Sequence, residues 1–200
     1  QIIEQTDRTS RIVQSLVNFA HSGSNKRSEQ RMEIVQVTEC IDEAITLVKL
    51  NRKGKHMQFD VQCEANARLK GDSQQLLQIL VNLINNARDA SPEESTITIR
   101  CEHIAASVQV SVSDEGSGIP ESIRDRVFEP FFTTKEPGEG TGLGLALVYS
   151  LVENLNGHID IMLASERKKN PGTRVTLSFP AYEAREDGSA PEQTQPESEN

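Results

Sequence analysis

Cysteine is scarce in this chain, with Cys40, Cys63 and Cys101 the only three in 200 residues, far apart in sequence and with no CxxC pair among them. Each sits in an apolar-patterned stretch, which predicts reduced core residues and a cytosolic setting rather than a disulfide scaffold. Long apolar runs are lacking too. No stretch of 18 apolar residues occurs and no basic-then-apolar leader opens the sequence, so nothing here is expected to span a membrane or direct export. A membrane-bound portion of a longer protein would lie elsewhere. Basic residues are in deficit, 21 Lys and Arg against 30 Asp and Glu, for a formal net charge of −9. That leaves no basic face for a phosphate backbone and sets nucleic acid aside as a partner, while a nucleotide carried with a metal ion stays compatible. The deficit is uneven: residues 183–200 hold six acids against Arg185 alone, so the remainder is only mildly acidic.

What is present suits one compact domain with an appendage, since 36% of 200 residues are hydrophobic. Near the start Ile2, Thr9, Ile12, Leu16 and Phe19 recur at three-and-four spacing, predicting a helix over 1–22 with one apolar stripe that needs a partner helix. The polar, aperiodic stretch HSGSNKRSEQR that follows reads as a hinge, with a linker over 23–31. A globular domain is expected over 32–182 and a disordered acidic tail over 183–200. Within the domain, Thr38 is expected to cap a helix through Leu50, with Glu39, Asp42 and Glu43 in its first turn. Residues 57–62 read as a short strand. Asp72 is expected to cap a helix to Ala90 ahead of Pro92. Alternation at Ile97, Ile99 and Cys101, then at Val108, Val110 and Val112, predicts neighbouring strands with one buried face. A third helix is expected over 143–156, stopped by Gly157, and two last strands over 158–163 and 173–179. Strand follows strand twice, which favours an α+β fold, a mixed sheet of about five strands with three main helices on one face, over a doubly wound one.

From Ser113 into the first turn of the third helix runs a stretch of about thirty residues holding six of the twelve glycines, and a connection this long in a small domain is usually functional. Asp114-Glu115-Gly116-Ser117-Gly118 places a carboxylate at a strand end beside two residues without side chains. Such an acid accepts a hydrogen bond from the exocyclic amine of adenine, where guanine presents a carbonyl. At the far end, Gly138-Glu139-Gly140-Thr141-Gly142-Leu143-Gly144 opens into a helix, aiming backbone N–H groups and the positive end of the helix dipole at a phosphate. Lys135 upstream adds a point charge for terminal phosphates. On the helix over 73–90, Asn82, Asn86 and Asp89 fall on one flank beside the apolar stripe of Leu76, Leu80, Leu83 and Ala87. The amide oxygens of Asn82 and Asn86 suit a Mg²⁺ held mostly by phosphates and water. Each feature alone has a plain structural reading: a glycine-rich loop, surface amides, a turn aspartate. Order and spacing together change the balance.

LLQILVNLINNARDA over 76–90 resembles the N box of sensor histidine kinases, DEGSGIP the G1 box, FEPFFTTK the F box, GTGLGLAL the G2 box, and Gly172-Thr173 the G3 position. The resemblance covers 72–180 closely and extends more loosely to the first helix, which is similar to the second helix of the dimerisation and phosphotransfer hairpin. It implies a Bergerat-type two-layer α/β sandwich that binds ATP with Mg²⁺. Asn86 would coordinate the metal and Asn82 orient the phosphates. Asp114 would read adenine, with Gly116 and Gly118 beside it and Thr173 supporting the carboxylate through a hydroxyl or a water. Gly140, Thr141, Gly142, Leu143 and Gly144 would line the phosphates. Phe131, Phe132, Thr133, Thr134 and the residues through Gly138 would form a mobile lid, the two phenylalanines serving as lid anchors or as plain core.

The H box of the family puts an acid directly after the phospho-accepting histidine. Here His21, His56, His103 and His158 precede Ser22, Met57, Ile104 and Ile159, so the acceptor is expected upstream of Gln1. The resemblance further implies a response-regulator receiver domain as partner, a homodimer for the intact protein and a monomer for this segment. Two rivals stand beside the kinase reading. A hydrolase of the same superfamily would carry a glutamate at the position of Asn82 to activate water. A catalytically silent nucleotide-binding module would keep the site without the transfer.

Overall fold

A computed structural model of the chain describes residues 32–50, 55–136, 140–166 and 169–182. The expected helix over 1–22, linker over 23–31 and tail over 183–200 lie outside the described residues. In chain order the elements are β1 (Glu33–Gln36), α1 (Val37–Leu50), β2 (Gln58–Cys63), β3 (Arg68–Gly71), α2 (Ser73–Ala90), β4 (Thr96–Ile104) and β5 (Ser107–Ser113). A short 3₁₀ turn (Glu121–Arg126), α3 (Gly144–Asn154), β6 (His158–Leu163) and β7 (Thr173–Pro180) complete them. Five strands form one mixed sheet in the order β2-β4-β5-β7-β6, parallel only between β2 and β4. The three helices cover one face, as anticipated. Ile97, Ile99, Val108, Val110, Leu177 and Phe179 from the strands and Leu76, Ile79, Leu80, Leu83 and Val148 from the helices make one continuous hydrophobic core.

Helix α2 begins where the sequence placed it. Asp72 keeps extended backbone and its Oδ1 accepts from the amides of Gln74 (2.8 Å) and Gln75 (3.2 Å), two of the four N–H groups a helix start leaves unpaired. Helix α1 starts at Val37, one residue before the expected cap, because β1 feeds straight into it and the Val37 amide is taken by the carbonyl of Ala67 (3.1 Å). The Thr38 hydroxyl instead accepts from Gln36 Nε2 at 3.2 Å. Helix α3 is shorter at both ends than expected. Past its C-terminus the left-handed residue is Asn156 (φ 54) rather than Gly157. Gly157 is glycine for space, since a Cβ there would lie 2.6 Å from the ring of Phe179.

The pattern gave no sign of β1 and β3, which pair antiparallel from Glu33 opposite Gly71 to Gln36 opposite Arg68. At four residues each, with only Val35 and Leu69 as buried apolar residues, they are too short for alternation to register. Replacing Asp72 by alanine is expected to lower stability by about 1 kcal/mol, read as a lower urea midpoint at unchanged slope.

Candidate functional site

The strand pair β5–β7 runs out at Ser113 opposite Arg174, and the next residue, Asp114, is only 8% exposed. Its amide donates to the carbonyl of Thr173 (2.9 Å), while its Oδ1 accepts from the amides of Gly116 (2.8 Å) and Thr173 (3.0 Å). Burial pushes the carboxyl pKa up, and the Thr173 and Gly116 amides with the Thr173 hydroxyl pull it back. Thr173 therefore supports the aspartate through its backbone as well as its hydroxyl. Gly172 makes that possible. It holds φ +70, donates to the carbonyl of Gly116 (2.9 Å), and a Cβ on it would lie 2.0 Å from the Asp114 carbonyl oxygen. Gly116 in turn packs on the last residue of α2, where a Cβ would meet the carbonyl oxygen of Ala90 at 2.6 Å. Ala90 lies one turn, about 6 Å along the axis, beyond Asn86, so the aspartate and the asparagine flank share one end of the domain.

The other wall is the start of α3. Leu143 stands at its N-cap with no side-chain cap, unlike Asp72 on α2, and the first helical bond is Leu147 to Leu143 (2.9 Å). Thr141 Oγ1 takes the Leu143 amide at 3.3 Å. The next amides, from Gly144 onward, have no such side-chain cap and carry the positive end of the dipole. Gly144 itself faces α2: a Cβ on it would lie 3.6 Å from Asn82 Oδ1 and 3.8 Å and 3.9 Å from the two amide atoms of Asn86. Asn82 Nδ2 donates to the carbonyl of Gln78 (2.8 Å), which commits its nitrogen and leaves Oδ1 toward Gly144.

Residues 131–135 lie along 140–142. The Phe131 amide donates to the Gly142 carbonyl (2.9 Å), both residues holding positive φ. A Cβ on Gly142 would be 2.3 Å from the Phe131 carbonyl carbon, and one on Gly140 2.7 Å from Thr133 Oγ1. Thr133 Oγ1 also accepts the Lys135 amide (3.2 Å), and Thr134 is exposed. The core reading of the phenylalanines does not hold for Phe131, which is 65% exposed, while Phe132 lies under the Arg126 guanidinium, 4.7 Å from ring centre. The residues that tie this segment to the core went unnoticed in the sequence. Val127 is buried, and the Phe128 ring packs 5.4 Å from that of Tyr149 on α3. Lys135, expected to bring a point charge to terminal phosphates, pairs its Nζ here with Asp89 Oδ2 on α2 at 2.5 Å.

Residues 71–183 match the family described as histidine kinase-, DNA gyrase B- and HSP90-like ATPase. The chain belongs to this ATPase family. It is 34% identical over 174 residues to the sensor kinase CckA of Brucella abortus, covering 79% of this chain and 18% of that protein. It is 43% identical over 112 residues to sporulation kinase A of Bacillus subtilis, covering 56% of this chain and 18% of that protein. Among solved structures it resembles the mycobacterial sensor histidine kinase MprB, with TM-score 0.69 and 30% identity over 75% of this chain and 97% of that one. The chain thus spans 18% of the length of these two curated kinases, and the fold is the Bergerat-type sandwich of histidine kinase catalytic domains. No described helix is long and apolar enough to cross a membrane.

Two glycines of this ATPase domain separate packing from openness. Gly142→Ala forces a side chain into the Phe131 backbone at positive φ and is expected to lower the thermal midpoint. Gly144→Ala meets only ordinary contacts and, as a helical Gly-to-Ala change, is expected to leave stability unchanged or raise it by up to about 1 kcal/mol. Parallel melts of the two variants check the distinction.

Proposed function

We propose that the chain is the ATP-binding catalytic domain of a sensor histidine kinase, presenting the γ-phosphoryl group of ATP to a histidine outside these 200 residues for relay to an aspartate of a response-regulator receiver domain. The observation that carries this reading is the convergence of a buried, amide-held carboxylate with an uncapped helix start faced by two asparagines. Asp114 accepts the adenine amine, with Thr173 holding the carboxylate and with Gly116 and Gly118 closing the turn that carries it, packed against Ala90 and against Pro171 and Leu163. The amides from Gly144 onward receive phosphate oxygens, with Gly140, Thr141, Gly142 and Leu143 shaping the approach and Asn82 orienting them. Phe131 to Lys135 supply the lid. Lys135 exchanges its Asp89 partner for a terminal phosphate. The intact protein acts as a homodimer.

The site also suits a divalent ion. Among the described residues no three His, Cys, Asp or Glu side chains gather to hold a metal, and the amide groups of Asn86 and Asn82 beside the open face of Gly144 offer neutral hard oxygens of the kind that share Mg²⁺ with phosphates. Bound there, the ion would neutralise phosphate charge. Phosphoryl transfer asks the protein chiefly for positioning and charge neutralisation, so the chain's own part is to fix the nucleotide and leave its terminal phosphate presented. Asn82 cannot take a proton from water, which speaks against the hydrolase alternative.

A fragment carrying an upstream H box, incubated with this chain and γ-labelled ATP, is expected to become labelled on histidine. No label despite ATP binding would establish a binding module instead. Asp114→Asn keeps an Oδ1 acceptor for both amides but turns an N–H toward the adenine amine, so ATP affinity is expected to fall roughly 100-fold by calorimetry. Because burial raises the Asp114 pKa, the folded state binds this proton more tightly than the unfolded chain. That contribution favours folding below the ordinary carboxylate pKa and is lost as pH rises through the folded value. At neutral pH the ionised carboxylate therefore costs stability, and Asp114→Asn is expected to melt no lower than the parent. By the same shift, ATP affinity is expected to start falling on acidification at a pH above the usual aspartate range, and the variant is expected to lack that limb.

A further inference from the structure

The three cysteines, dispersed in sequence, are not dispersed in space. The parallel register of β2 and β4 sets Cys63 directly opposite Cys101. Strands so paired lie about 4.8 Å apart, inside the roughly 4.4–6.8 Å that separates the Cα atoms of disulfides. Cys101 is buried in the core, and Cys63, at the end of the sheet's edge strand, is half-buried and packs on the same core. Residues directly opposite in paired strands present their side chains to the same face, so the two thiols are neighbours. The backbone clamps this end of the strand pair, since the Glu64 amide donates to the Cys101 carbonyl (2.9 Å) and the Glu64 carboxylate accepts the His103 amide (3.0 Å).

The two sulfurs are unlike in reactivity. The neighbouring Cys101 thiol lowers the Cys63 pKa, whereas the neighbouring Cys63 and burial raise that of Cys101. Cys63 is therefore the more thiolate-like and the more accessible of the two, the combination that selects a site of oxidation. Cys40 is pushed up to about 11 by burial and by Glu43, Glu39 and Glu33, and sits on α1 away from this strand pair, with its Sγ toward the carbonyl of Ser73 (3.9 Å).

We propose that Cys63 and Cys101 form a hydroperoxide-oxidisable dithiol that closes to an intramolecular disulfide between β2 and β4. The Cys63 thiolate attacks the terminal oxygen of the hydroperoxide, the O–O bond breaks, and the departing oxygen takes a proton to leave an alcohol or water and Cys63 as the sulfenic acid. The Cys101 sulfur, giving up its proton, then attacks the Cys63 sulfur and expels hydroxide, which leaves as water. Two thiols lose two electrons and one hydroperoxide gains them. The closed loop contains β3 and the whole of α2, so oxidation cross-links the two ends of the segment that carries Asn82 and Asn86. The site is independent of the nucleotide reading.

The test is to treat the full chain with a modest excess of hydrogen peroxide, block remaining thiols, and map peptides with and without reduction. The expected product joins the Cys63 and Cys101 peptides within one chain, weighs about 2 Da less than the reduced chain, keeps Cys40 alkylatable, reverts with dithiothreitol and melts at a higher temperature. Cys101→Val, chosen to keep the core apolar, is expected to halt oxidation at a Cys63 sulfenic acid trapped by dimedone. Cys63→Ser, at a half-buried position, is expected to leave Cys101 reduced. Retention of all three thiols, a link through Cys40 or between chains, or a sulfinic Cys63 with Cys101 still free would each overturn the proposal.

Discussion

One carboxylate sets the terms for this domain. Asp114 is buried at the end of a strand, where burial alone favours the protonated form, and it is held by two backbone amides that converge on one oxygen. Neither amide comes free. The Thr173 amide is in place because β5 and β7 pair to their ends, and because Gly172 turns at positive φ against the Asp114 carbonyl, where no other residue has room. The Gly116 amide is in place because the turn after Asp114 packs on the end of α2. Sheet, turn and helix are thus all fixed by what one ionised group requires of its surroundings, and Asp114 and Thr173 are two of only four buried polar residues among those described.

Helix α2 transmits that constraint across the site. Its apolar stripe is committed to the core, its flank carries Asn82 and Asn86, and its last residue backs the Asp114 turn. Arg88, buried on the same helix, donates to the carbonyl of Val48 in the last turn of α1 (3.3 Å), placing a cation where the helix dipole favours one. Lys55 does the same for α2, donating to the carbonyls of Asp89 and Ser91. The helix that orients the asparagines is therefore pinned by Asp72 at its start and by Lys55 at its end.

Much of this was legible in the residues, and the reasons for what was not are physical. Alternation at Ile97 to Cys101 and Val108 to Val112 found two long strands because five or more residues with one buried face leave a period of two. The four-residue pair β1–β3 leaves none. Asp72 was readable as a cap because its bonds are local, whereas Thr38 failed because the competing donor, Gln36, and the acceptor for Val37, Ala67, are set by a strand pairing that no local pattern encodes. Gly172 was legible only as part of a motif; its steric necessity lies in Asp114, fifty-eight positions away in sequence. Phe131 and Phe132 drew attention over Phe128 because adjacent phenylalanines stand out, yet the ring that reaches Tyr149 is the one on the 3₁₀ side of the turn. The meeting of Cys63 with Cys101 follows from a parallel register, the least local feature of all.

The charge distribution points the same way as the geometry. In a chain with a net charge of −9, Lys135 is already paired with Asp89, so on the proposed reading fixed cations are not the main attraction this end of the molecule offers an anion. The uncapped start of α3 is. Amides there bring partial positive charge without the desolvation cost of burying an ammonium group, and glycine at 144 leaves them uncovered. An Asp89–Lys135 pair beside them keeps the lysine within reach while screening its charge when no phosphate is present. On the proposed reading, selectivity then rests on a neutral anion cradle joined to a single acid that reads the base, an arrangement that favours the nucleotide carrying both features over any simple polyanion.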